Sequence, residues 1–137
     1  MVFLWLAAVR KSKDEIVVLD RPHDLIKAEY SRNLNKEDYG RMVIAEKLPR
    51  GQCRWVEMEP DDNGHAMILH DAGEEVKDRE DRKMVAAALE SGASIVNASD
   101  TDWCELEHCG TLGRLGIKVT HLLHELCQGW WERKRKA

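Results

Sequence analysis

The segment between Asp78 and Trp103 constrains this chain more than any other part of it. Asp78 and Asp81 open a helical pattern in which Met84, Val85, Ala88 and Leu89 share one face, and Gly92 stands where helices commonly end in a left-handed residue. A β-branched run follows at residues 93–98, and Asp100 and Asp102 come directly after it. An acid-led helix that feeds a short apolar strand, with further acids at the strand's carboxyl end, suits a parallel α/β sheet, in which ligands gather outside the strand ends.

The rest of the chain repeats this alternation. Apolar β-branched runs at residues 16–19, 53–58 and 117–120 predict three more strands. Helical patterns cover residues 23–34 and 37–48, the second stopped by Pro49 and Gly51. Asp102 and Glu105 have the spacing of a capping box and predict a short helix to about Cys109. A last helix is expected over residues 122–131, dissolving into a basic tail at residues 132–137. Pro60, Gly64 and Gly73 break the stretch from 57 to 75, leaving room for a helical turn or two at residues 65–70. The expectation is one α/β domain over residues 1–137, a three-layer sandwich with a mainly parallel sheet of about four strands.

Four carboxylates brought to one strand end repel one another unless a proton or a cation relieves them. Hard oxygen ligands select Mg²⁺ or Mn²⁺, and such ions polarise phosphates and activate water. Phosphodiester hydrolysis is therefore the chemistry this pattern suits.

At this level the chain resembles the PIN-domain family. Its acids, its Ala-rich helix ending in Ser91-Gly-Ala93, and Ile95-Val-Asn-Ala-Ser-Asp-Thr-Asp-Trp103 are similar to the family's acid, helix, small-residue turn, strand and further acids. Leu115-Gly-Ile-Lys-Val-Thr-His-Leu-Leu-His-Glu-Leu126 resembles the last strand and the helix after it. Ile16-Val-Val-Leu-Asp-Arg-Pro-His-Asp-Leu-Ile-Lys-Ala-Glu-Tyr30 resembles the second strand and the helix that bears the second acid, here Glu29. The resemblance implies a ribonuclease of the toxin type that uses Mg²⁺ or Mn²⁺ to cut single-stranded RNA, with an antitoxin-like protein as partner. It assigns catalysis to Glu29, Asp81 and Asp100, and the metal to these three with Asp78 and Asp102. The opening departs from the family, whose first strand ends in Asp. In Val2-Phe-Leu-Trp-Leu-Ala-Ala-Val9, either Trp5 stands in the place of that Asp, or the chain begins inside the first helix and the strand is absent. The departure raises a second expectation, a degraded PIN-like protein that binds RNA or another protein. A missing strand would also leave a gap for a partner chain to close, as in a homodimer.

Ordinary roles compete for the same residues. Asp78, Asp81, Asp100 and Asp102 all suit helix starts as caps, and Glu29 suits a solvated helix face. Cys104, His108, Cys109, His121, His124 and Cys127 cluster in sequence, but their spacings match no standard zinc finger, so structural zinc is not expected. The net charge of −4 argues against uniform attraction to a polyanion and leaves Arg133, Lys134, Arg135 and Lys136 as the candidate nucleic-acid contact. No stretch approaches the roughly 20 apolar residues that span a bilayer. The apolar opening lacks the pattern of a secretory signal, so four reduced cysteines and a cytoplasmic location are expected.

Overall fold

These alternating patterns become a mixed α/β architecture in the computed structural model, which describes residues 2–33, 39–97 and 100–136. The first half runs α1 (Val2–Lys11), β1 (Val17–Arg21), α2 (Leu25–Asn33), α3 (Tyr39–Lys47) and β2 (Cys53–Glu57). A long connection with 3-10 turns at Asp71–Glu75 and Arg79–Asp81 leads to α4 (Arg82–Ser91). The second half continues with β3 (Ile95–Asn97), α5 (Thr101–His108), α6 (Thr111–Leu115), β4 (Val119–His121) and α7 (His124–Lys136).

Both strand pairs are parallel, as the intervening helices require. Val17 to Arg21 lie opposite Cys53 to Glu57, and Ile95 to Asn97 lie opposite Val119 to His121. The expected sheet of about four strands is not formed: among the described residues the strands make two separate sheets of two. β3 and β4 contribute only three residues each and offer little ladder to extend. The link between the halves is α4, which packs against β1, β2 and β3. Ala87 joins a core with Leu19, Ile26, Val56, Met58 and Ala66, while Val85 and Ala88 join another with Val76, Trp103, Leu112 and Ile117. Met84 packs against both.

Several local expectations change. Residues 65–70 form no helical turn; the 3-10 turn begins at Asp71, where His70 Nδ1 accepts the Ala72 amide at 3.0 Å. Gly73 packs so closely that a Cβ there would lie 2.8 Å from Ile68 Cγ2, which leaves no room for a larger residue. The opening residues are helical, and α1 is clamped to α3 by Arg10, whose guanidinium donates to both Glu46 oxygens at 2.6 and 2.7 Å. The basic residues near the C-terminus do not leave the last helix, because α7 runs on to Lys136. Parts of the expected helices and of the third strand, at residues 34–38 and 98, lie outside the described residues.

The expectation of four reduced cysteines is also corrected. Cys104 and Cys127 form a disulfide, leaving Cys53 and Cys109 free. Side-by-side packing of α5 and α7 brings residues 23 apart in sequence to a Cα separation of 5.4 Å, inside the range a disulfide bridges.

One buried cation organises the first half. Lys47 is 1% exposed, and its ammonium donates to Ser12 O at 3.0 Å, Glu15 O at 2.6 Å and Gln52 Oε1 at 3.3 Å. An ammonium has three donors, so this site satisfies it fully. Replacing Lys47 with Met keeps the apolar stem but strips the two carbonyls of their partner. We expect Lys47→Met to cost about 1–3 kcal/mol, the range for a buried polar group left unpaired, because both carbonyl bonds are only part-buried. Urea unfolding measures it, and a loss below about 0.5 kcal/mol, the usual surface value, would show that water replaces the ammonium there.

Candidate metal centre

Four acids meet where the connection enters α4 and where β3 hands the chain to α5. Two of them cap helical turns as their sequence positions suggest. Asp78 accepts the Glu80 amide at 3.0 Å, and Asp100 accepts the Asp102 amide at 2.9 Å. Asn97, at the end of β3, fixes Asp100 from both sides: its Oδ1 accepts the Asp100 amide and its Nδ2 donates to the Asp100 carbonyl, each at 2.9 Å. Asp81 precedes α4 directly but makes no capping bond with its side chain.

Asp81 instead faces other carboxylates. One oxygen from each of Asp78, Asp81 and Asp102 lies within 4.8 Å of the others. Burial pushes the Asp81 carboxyl up to about 7, and the charges of Asp78, Asp100 and Asp102 push in the same direction, as does its hydrogen bond with Asp102. Asp102 is raised as well, first by burial and then by the charge of Asp100. At neutral pH the group is therefore only partly ionised, where isolated aspartates would have lost their protons. A divalent cation could replace the proton that remains. The donors are all carboxylate oxygens, so the residues present fit Mg²⁺ or Mn²⁺ rather than a softer ion.

Glu29 stands apart from this trio. It lies on α2 with one oxygen 3.5 Å from Lys83 Nζ, and Lys83 donates to Glu80 at 2.8 Å. Lys83 is 6% exposed, a buried cation on α4. It holds Glu29 by charge. Asp20 is the other carboxylate that sequence reasoning passed over. It stands near the carboxyl end of β1, fully buried, and its two oxygens accept the Leu25 and Ile26 amides at 2.9 and 2.8 Å. Its signal was the one used for Asp100, an acid that ends a β-branched run ahead of a helix. Here both oxygens serve the free amides of α2.

The basic residues Arg133, Lys134, Arg135 and Lys136 are exposed on the last turns of α7. Lys134 reaches α5, donating to Glu105 Oε1 at 2.6 Å, and lies 5.0 Å from the Trp130 ring centre. Trp131 stacks on His108 with ring centres 3.5 Å apart. Glu105 is one helical turn beyond Asp102, so α7 delivers its positive end within a turn of the acids.

No family model matches this chain, and no curated protein or solved structure matches it either. No described helix is long and apolar enough to cross a membrane.

A group whose pKa is higher in the folded state stabilises the fold fully below its unfolded value and loses that contribution as pH rises through the folded one. For Asp81 the window runs from about 4, the ordinary aspartate value, up to about 7. Without divalent ions, we expect the urea midpoint of wild type to fall across that window more steeply than that of Asp81→Asn. Superimposable pH profiles would show that Asp81 ionises freely.

Proposed function

We propose that this chain is a PIN-like, divalent-metal-dependent ribonuclease that hydrolyses RNA phosphodiesters at the cluster of Asp78, Asp81 and Asp102. On this reading the two parallel ladders are parts of a PIN-like three-layer sandwich. The observation that carries the proposal is the crowding around Asp81. The charges of Asp78, Asp100 and Asp102 all oppose its ionisation, an arrangement that a cation would relieve.

The protein's own groups then divide the work. Asp81 and Asp102 hold the ion by their side chains, and Asp78 completes the set from the preceding turn. Asp100 stays on the Asp102 amide, adds negative charge and keeps Asp102 in place through that capping bond. Lys83 keeps Glu29 as a positioning group rather than a ligand. The exposed cations of α7 supply phosphate contacts for a single strand. A bound divalent ion would offset charge developing on the phosphodiester and lower the pKa of attacking water.

The runner-up is a PIN-like binding module that has lost catalysis and takes RNA or a protein. The split of the described strands into two ladders of two favours it, because the single sheet expected of a PIN-like nuclease is not formed among them. Cleavage of a labelled single-stranded RNA with Mg²⁺ or Mn²⁺ separates the two. Under the ribonuclease reading, the Asp81→Asn, Asp102→Asn double variant, purified identically, loses more than the roughly 10–100-fold that removal of an outer-shell partner costs a metal site. No cutting by wild type, or equal cutting by both proteins, would leave the binding module.

A further inference from the structure

We propose that Cys104, His121 and Cys127 form a Zn²⁺ site when the two cysteines are reduced. The three residues come from α5, β4 and α7, and their sulfurs and one ring nitrogen lie within 4.8 Å of one another. Cys104 and His121 are 4% and 7% exposed, so the group is an interior feature. The site does not rest on the ribonuclease reading, although Asn97 touches both His121 and Asp100.

The histidine is set up as a ligand. Asn97 Nδ2 lies 3.1 Å from His121 Nδ1, and an amide nitrogen only donates, so the Nδ1 lone pair accepts that N–H until a metal takes its place, and the neutral ring carries its proton on Nε2. The assignment of the Asn97 amide is fixed independently, because its Oδ1 accepts the Asp100 amide. His121 Nε2 is buried and makes no aligned hydrogen bond, but it lies 3.2 Å from Glu107 Oε1. A histidine that points one nitrogen at a metal commonly gives the N–H of the other to a carboxylate. The same Nδ1 is 3.3 Å from Cys127 Sγ. Sulfur and nitrogen ligands around a tetrahedral zinc, with bonds of about 2.3 and 2.0 Å, sit about 3.5 Å apart. Little movement is needed at this pair.

The ligand set decides the metal. Two thiolates and an imidazole suit zinc and disfavour Mg²⁺, which prefers oxygen. Three protein ligands leave a fourth position for water or an added ligand. The sequence spacing hid this group because its members are neighbours across three elements rather than along one motif.

In the structure the two sulfurs are joined, and a disulfide offers no thiolate. Two molecules of a small thiol can open it. Their two electrons and two protons pass to the cysteine pair, the S–S bond breaks, and the small thiols leave joined as their own disulfide. Zinc then forms two Zn–S bonds and releases the two thiol protons to solvent. The disulfide and the ion are thus alternative ties between α5 and α7, one for oxidising and one for reducing conditions.

The full chain, reduced and freed of reductant without oxygen, should retain one Zn²⁺ per molecule against a chromophoric chelator, while the same protein left oxidised retains none. Substitution with Co²⁺ should give thiolate-to-cobalt absorption in the reduced protein that Cys127→Ser diminishes. Glu107 is exposed, so Glu107→Gln should fold normally, and it should weaken zinc by roughly 10–100-fold, as loss of a histidine's carboxylate partner does. His121→Ala should lose stoichiometric retention. Failure of the reduced wild type to retain zinc, equal retention by the oxidised protein, or unchanged binding in Cys127→Ser and His121→Ala would each overturn the proposal. The comparison of oxidised with reduced wild type decides the matter even where a variant does not fold.

Discussion

The packing of α4 on both sides is the constraint on which the rest of this structure depends. Ordinary surface helices bury one stripe and wet the other. Here Val85 and Ala88 enter one apolar cluster, Ala87 enters the other, and Met84 touches both. Three consecutive alanines keep the helix slim enough to stand between them. Its carboxyl end is closed by Gly92, whose φ of 73° suits a residue without a Cβ and whose amide returns to Ala88 O at 2.8 Å. With both flanks fixed, the start of the helix is fixed as well, and so is the place of Asp81. The acids of α5 then approach from β3, so the crowding of the cluster follows from packing.

This is also why the middle of the chain was the most legible part. The helix, its glycine stop, the short strand and the acids are local signals, and they recur in space in the order in which they are written. Pairing between strands is a different kind of information. Nothing in residues 95–97 or 119–121 says that they form their own ladder instead of extending the first one. α6 was missed because Thr111–Leu115 spans only five residues between two glycines, too few for a helical period to show. Glu29 was read from its place in a helix, but its partner Lys83 comes from a distant helix that no local pattern relates to it. The disulfide escaped for the same reason, compounded by an inference about compartment that says nothing of geometry.

The carboxylates of this protein can be sorted by what answers their charge. Asp20 is completely buried, yet its oxygens take two backbone amides at the start of α2, so the fold itself supplies what the charge lost on leaving water. Lys47 is the mirror case, a buried cation answered by two carbonyls and a side-chain oxygen. Asp100 has the amide of Asp102, and Glu29 has the ammonium of Lys83. Asp81 differs from all of these. Its capping position goes unused, and the charges of Asp78, Asp100 and Asp102 oppose its ionisation. A helix start favours negative charge by only about 0.3–1 kcal/mol, too little to offset several like charges at close range. A carboxylate whose charge the fold answers is sufficiently explained as structure. One whose charge the fold opposes must keep a proton or take a cation, and that distinction, more than the number of acids present, is why the proposed site centres on Asp81.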